Sequence, residues 1–422
     1  MRIASVPISR YFSLVNAICL VIDRLQSGFL GAYGNTWIET PAFDRLAAES
    51  FVFDQMLVDS PQLGPLYRSF WQGWHALAPA VENRPTLPAM LRDVGVSCTL
   101  LTDDRTVIDH PLAIEFDNCV QIDPPWQSQM AAAGAYEETH LARCFLQIID
   151  WVQTAKRPFF LWCHLGSLGT TWDAPPECRE CYWDESDPPL LTTADVPDRM
   201  LKAGFDPDEL LVHTQAYAGQ IALLDTCLGG FLDVLETHPA AHKTLLAIAA
   251  SRGFPMGEHL RLGPCDESLH GELVHVPLLM RFPDRLGAAA RSQALVEPAD
   301  LWATLLDYWR IDGAPPSPTG VSLLPLVREE PVATRATRDR LVIAGVGQER
   351  AIRTPAWYLR KAEPPELYAK PDDLWEVNNV SVRCQEVVDR LLDAADQFEQ
   401  AIYSGKVADL PPLSGVLIDG LE

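Results

Sequence analysis

Short runs of consecutive apolar, often β-branched residues alternate along this chain with longer stretches whose apolar positions recur every three or four residues. That alternation is the signature of βαβ units built on a mostly parallel sheet. Residues 14–22 read as a buried strand. Thr40 and Pro41 open a helix over 42–48, with Thr at the cap and Pro in the first turn. A short helix over 86–94 ends at Gly95, and 97–102 is the next strand. Residues 137–153 show helical spacing through Leu141, Phe145, Ile148 and Val152, and 159–164 is a strand. The longest helical pattern, 207–237, is interrupted by Gly219 and by Gly229 with Gly230. Strands are predicted over 244–250 and 276–281, and a helix over 298–309.

Past residue 330 the texture changes. Residues 341–345 and 351–360 read as strands of a smaller sheet, and 384–402 as an amphipathic closing helix. The charged, proline-containing stretch 325–338 separates the two, which predicts a large α/β domain over 1–330 and a C-terminal α+β subdomain over 331–422. The expected fold is therefore a large, mostly parallel sheet sandwiched by helices, with a small antiparallel annex. The 34 prolines imply many rigid loops.

Composition narrows the function classes only slightly. The chain has 422 residues, 57 acidic against 33 basic, for a net charge of −24. Such a surface repels phosphate backbones and anionic lipid, so nucleic-acid and membrane-surface partners are not expected. No run approaches the ~20 apolar residues that cross a bilayer, and residues 14–22 lack a small-residue cleavage site, so a cytoplasmic location is expected. Ten scattered cysteines read mostly as reduced core thiols. Cys178 and Cys181 have CxxC spacing, but a tetrahedral zinc site wants four ligands and no second pair follows.

Ligands of open parallel sheets collect beyond the carboxyl ends of the strands, and the first strand ends at Asp23-Arg24. A carboxylate there serves as a metal ligand or catalytic group about as often as it caps a turn. The surrounding text adds to this. Residues 16–34, ending Gly28-Phe29-Leu30-Gly31-Ala32-Tyr33-Gly34, and then Thr40-Pro41-Ala42-Phe43-Asp44-Arg45-Leu46, resemble the opening of the sulfatase family of the alkaline-phosphatase-like superfamily. In the same order come Pro158-Phe159-Phe160-Leu161, a long helix with an embedded Asp225, Gly257-Glu258-His259, and Val276-Pro277-Leu278. Late matches are Gly320-Val321-Ser322-Leu323-Leu324-Pro325, Ile352-Arg353-Thr354-Pro355, Glu366-Leu367-Tyr368 and Asn378-Asn379.

The resemblance implies hydrolysis of a sulfate or phosphate ester at a calcium or magnesium ion held by several carboxylates. It further implies an oxidised Cys or Ser nucleophile, with Lys and His clamping the transferred group. The chain departs from that pattern where the chemistry should sit. The paired Asp after the first strand is Asp23-Arg24, and the later Asp-His-Gly or Asp-Asn-Gly motif falls on Ser251-Arg252-Gly253. The nucleophile position falls on Leu63, with the motif's Arg one residue out of step at Arg68. The Gly-Lys-Trp-His motif falls on Thr102-Asp103-Asp104-Arg105, a substrate His on Gly169, and the late Lys near Pro264.

No catalytic residue and no metal or other cofactor is therefore expected, and the guanidinium groups of Arg24 and Arg252 are expected to pair with Asp23 where the ion would lie. Arg24, Arg68, Arg252 and His259 are candidates for holding an anion instead. His164, His259, His270 and His275 show no pairing on one helix that would make them a metal cluster, and Trp71 and Trp74 read as packing. The leading reading is a non-catalytic family member with a binding, regulatory or assembly role toward a protein or small anionic ligand, with a homo-oligomer among the forms considered. The other is a divergent ester hydrolase using Ser60, Ser69 or Ser251 as nucleophile, which would need an adjacent base.

Overall fold

A computed structural model describes residues 15–123, 131–330 and 338–421. Fourteen strands follow one another along the described chain: β1 (Asn16–Ile22), β2 (Phe51–Leu57), β3 (Ser97–Thr102), β4 (Asn118–Gln121), β5 (Phe159–Leu165), β6 (Arg199–Met200), β7 (Thr244–Ala249), β8 (Arg261–Leu262), β9 (His275–Arg281), β10 (Ala290–Val296), β11 (Leu341–Ala344), β12 (Arg350–Arg353), β13 (Trp357–Arg360) and β14 (Glu366–Ala369). Eight form one sheet in the order β10-β2-β9-β7-β1-β5-β3-β4. Only β9 runs against its neighbours β2 and β7; the other pairings are parallel. β1, β5 and β7 are buried along their whole length, as central parallel strands covered on both faces must be.

Helices cover this sheet, and their local sequence explains most of their ends. Leu87–Asp93 starts where the Thr86 hydroxyl accepts from the Ala89 amide at 3.2 Å. Pro41–Ala48 is different. The Thr40 hydroxyl accepts from the Gly31 amide instead, and the Asp225 carboxylate caps the helix by taking the Ala42 and Phe43 amides at 3.0 and 2.9 Å. Pro207–Thr237 is one continuous helix; its glycines do not break it. At Gly219 a Cβ would lie 2.8 Å from Arg179 Cγ, so close packing of that segment accounts for the glycine. By length and composition this helix could cross a membrane, contrary to the expectation from apolar run length. Here it buries Tyr217, Ile221, Leu224, Leu228 and Leu232 in the protein core.

After residue 338, β11-β12-β13-β14 form an antiparallel sheet, and the helix Gln385–Ser404 packs on it through Val388, Leu391 and Phe398. The stretch read as one strand over 351–360 is the hairpin β12–β13, folded at Thr354-Pro355. Leu14 of the first predicted strand and residues 331–337 of the predicted boundary lie outside the described residues. β2, β4 and β10 carry no expectation from the sequence. The polar pair Asp54-Gln55 interrupts the apolar run of β2, and those side chains meet Arg291 and Gln293 of β10.

Candidate functional site

Asp23 follows β1 directly, its amide held by the Leu165 carbonyl of β5 at 2.8 Å. Its neighbour Arg24 sits at φ 65°, a left-handed conformation unusual for a non-glycine residue. The Tyr217 hydroxyl donates to the Arg24 carbonyl at 2.6 Å and helps hold that turn. Ser251 and Arg252 follow β7, the strand beside β1. Two adjacent strand ends therefore deliver four of the predicted residues to one point.

There they form a closed network. Asp23 Oδ1 accepts from the Ser251 hydroxyl at 2.6 Å and from Arg252 Nε at 2.9 Å, while Oδ2 accepts from Arg252 Nη2 at 2.5 Å. Arg24 Nε lies 3.6 Å from Oδ2. A second carboxylate completes the set: Asp266 Oδ1 accepts from Arg252 Nη1 at 2.8 Å and from Arg24 Nη2 at 2.7 Å, and Arg24 Nη1 donates to the Cys265 carbonyl at 2.7 Å. Two cations meet two anions, so the cluster is neutral. Asp23, Arg24 and Arg252 are buried, whereas the Asp266 side chain is 41% exposed at the mouth of an open depression of about 420 Å³.

Burial pushes the Asp23 carboxyl up, but Arg252 and then Arg24 outweigh it and hold the group well below the usual carboxylate range. The same carboxylate raises Arg252 above its ordinary value against burial. Gly169, at the predicted substrate-histidine position, fits this arrangement: a Cβ there would stand 3.0 Å from Arg24 Cγ and 3.9 Å from Asp23 Oδ2. Any side chain there would press on the seated arginine.

These residues do not fit a calcium or magnesium ion. Such ions want several oxygen ligands, and both oxygens of Asp23 are already covered by a guanidinium and a hydroxyl. A guanidinium about 5 Å from a dication, at an effective dielectric of about 20, repels it by about 7 kcal/mol. Two guanidiniums stand here.

Other candidates go elsewhere. Arg68 does not face this site: its guanidinium donates to the Ala76 and Ala78 carbonyls at 2.9 and 3.4 Å, closing a loop. Leu63 is the buried first residue of the helix Leu63–Gln72. His259 has neither ring nitrogen to spare for an anion, with Nδ1 2.8 Å from Glu272 Oε1 and Nε2 3.2 Å from the Glu376 carbonyl. Of the four histidines, His164 and His275 stand apart, whereas His259 and His270 converge with Glu272. His164 pairs with the Tyr67 hydroxyl at 2.6 Å and lies 3.7 Å from Asp104, and His275 sits on the Asp54 carbonyl. His259 and His270 stack with ring centres 3.4 Å apart. Trp71 is wholly buried among Tyr67, Phe116 and Trp162, as core packing requires.

Among the described residues Ser60, Ser69 and Ser251 have no histidine partner. Ser60 accepts from the Gln62 amide, Ser69 donates to Asp59, and Ser251 is committed to Asp23. A carboxylate as strongly stabilised as Asp23 is a poor base. Asp266 had no sequence signal, since it lies in a loop outside every matched motif.

One half-buried acid beside the site has a pH consequence. Glu258 accepts from Gln26 at 2.8 Å and from the Met256 amide at 2.6 Å, and burial, then the neighbouring Glu272, push it up to about 7. Its folded value thus exceeds its unfolded one, so the folded state binds the proton more tightly and stability falls as pH climbs from about 4.5 toward 7. Glu258→Gln is expected to level that decline, read as melting temperature between pH 5 and 8; an unchanged slope would contradict it.

A parallel-dominated sheet in this order, with an antiparallel annex and its polar cluster beyond the strand ends, defines an alkaline-phosphatase-like α/β fold. Solved structures agree. A phosphonate monoester hydrolase of Agrobacterium radiobacter superposes with a TM-score of 0.75 at 17% identity, over 94% of this chain and 96% of that one. The phosphonate monoester hydrolase from Silicibacter pomeroyi gives 0.72 at 17% identity, over 92% and 95%. The sulfatase profile matches residues 15–311, and the chain belongs to the sulfatase family. It is 21% identical to iduronate 2-sulfatase of Homo sapiens over 64% of this chain, and spans 60% of that relative's length. It is 23% identical to the Delta 4,5-hexuronate-2-O-sulfatase of Bacteroides thetaiotaomicron, over 75% of this chain and 72% of the relative.

Proposed function

We propose that this sulfatase-family chain is a non-catalytic member in which an arginine–aspartate lock occupies the place of the dication. One observation carries this reading: the Asp23 carboxylate spends both oxygens on Ser251 and Arg252 within the same core. The scaffold is retained while the groups that would hold an ion and attack an ester are replaced, which leaves a binding or assembly role. Fold does not supply chemistry.

The lock also bears on ligands. Every guanidinium nitrogen of Arg24 and Arg252 already faces Asp23, Asp266 or Cys265. An entering anion would compete most directly with Asp266, the exposed partner. Accordingly, sulfate and phosphate at millimolar concentration are expected to leave the melting temperature unchanged, and a partner is expected to engage the outer surface.

Aryl sulfate, aryl phosphate and aryl phosphonate esters, each with calcium, magnesium, manganese or zinc, test the reading. No turnover above that of an Asp23→Ala control is expected. Turnover that Asp23→Ala abolishes would overturn it and favour the divergent hydrolase.

A further inference from the structure

Apart from the lock, Asp103, His140 and Cys144 bring one carboxylate oxygen, one ring nitrogen and one sulfur together. Asp103 follows β3, and His140 and Cys144 lie four residues apart on one face of the helix His140–Thr154. His140 and Cys144 are fully buried and the Asp103 side chain is 3% exposed. The three atoms are already near the spacing of a tetrahedral ion. His140 Nε2 is 2.9 Å from Asp103 Oδ2 and 3.5 Å from Cys144 Sγ, and the sulfur is 4.0 Å from that oxygen. Ordinary zinc bond lengths to oxygen, nitrogen and sulfur give tetrahedral edges of about 3.4, 3.6 and 3.6 Å in the same order. Each observed edge is therefore within about half an ångström of the geometry an ion imposes.

The surrounding bonds fix these groups from outside. The second Asp103 oxygen accepts from the Gly166 amide at 2.6 Å, and the His140 amide donates to Asp173 at 2.7 Å. Both the carboxylate and the sulfur converge on one ring nitrogen, which carries at most one proton, while His140 Nδ1 has no partner among the described residues. Hydrogen bonds from the ring nitrogen and the Cys144 thiol to Asp103 Oδ2 account for those contacts but not for the buried, unpaired Nδ1.

We propose that Asp103, His140 and Cys144 form a structural zinc site, sharing no ligand with the Asp23 lock. Cys163, buried on β5 and in register with Leu101 two residues before Asp103, is the thiol in place to approach the fourth corner. Entry of the ion releases the Cys144 thiol proton to solvent, and the imidazole keeps its single proton, now at Nδ1. The carboxylate and the Cys144 thiolate together neutralise the ion; a Cys163 thiolate at the fourth corner releases a second proton to solvent and leaves one net negative charge. Because Nδ1 lacks the acceptor that usually supports a ligating histidine, the site is weaker than a dedicated zinc module.

The full chain, stripped by chelator and titrated with cobalt(II), tests this. About one cobalt per chain is expected, with thiolate charge-transfer and tetrahedral ligand-field absorption that zinc displaces. Cys144→Ser and His140→Gln should each abolish the bands, Cys163→Ala should weaken them, and His259→Gln, in the other convergent histidine group, should leave them intact. No bands, or bands lost in His259→Gln but kept in Cys144→Ser, would overturn the site. If the Cys144 and His140 variants fail to fold, X-ray absorption on the zinc-loaded parent decides: a shell containing sulfur supports the site, and a shell of oxygen and nitrogen alone overturns it.

Discussion

Asp23→Ala is expected to lower stability by about 3–5 kcal/mol, because it leaves two buried guanidiniums sharing one half-exposed carboxylate. Asp266→Ala is expected to cost about 1 kcal/mol, since that side chain is 41% exposed and solvent takes over much of its role. Denaturant unfolding of the two variants beside the parent checks the order. The pH dependence follows from the same contact. The folded Asp23 carboxyl lies below its unfolded value, so its contribution is full above about pH 4 and is lost as pH falls through the folded value. The gap between parent and Asp23→Ala should therefore narrow below about pH 4. A neutral effect of Asp23→Ala at pH 7 would mean that the network is ornamental. In a site built to hold a dication the outcome differs: removing one carboxylate relieves repulsion among the ligands of the empty site and costs little stability.

Gly253→Ala is expected to be nearly as damaging for a wholly different reason. Gly253 directly follows Ser251 and Arg252 of the Asp23 network. Its amide donates to the Leu273 carbonyl at 2.8 Å, which draws the loop after β7 against the chain at Glu272. A Cβ at this position would overlap the Glu272 carbonyl oxygen and lie 2.9 Å from its carbon, where only backbone could move aside. Overpacking against backbone is expected to cost about 3 kcal/mol or more, seen as loss of soluble protein or a large drop in denaturant midpoint. Soluble variant with parental stability would show that the loop has slack. The three consecutive residues thus do different work: the glycine serves the backbone path, whereas the side chains before it serve the Asp23 network.

This division also accounts for what could be read from the sequence. β1, β3, β5 and β7 are apolar runs because parallel strands covered on both faces exclude polar residues, and they were legible at once. β2 was not, because Asp54-Gln55 breaks its run, and those polar groups make sense only opposite Arg291 and Gln293, more than 230 residues later. Asp225 was visible as an acid embedded in an apolar helix, but its task, capping Pro41–Ala48 from across the fold, is purely tertiary. At the site, the order of motifs placed Asp23, Arg24, Ser251 and Arg252 together, and the structure joins them. It removes Arg68 and His259 from the anion-holding set, because local carbonyls and a carboxylate claim them first. Asp266 was illegible because its role comes from a loop returning over the strand ends, and no spacing rule encodes that path.

The most direct measurement is a crystal structure from crystals soaked in calcium and in magnesium, inspected where β1 and β7 end. The account predicts the Arg252 guanidinium seated on Asp23, Arg24 reaching Asp266, and no cation among them. Arginines swung outward, with Asp23 and other oxygens coordinating an ion, would contradict it.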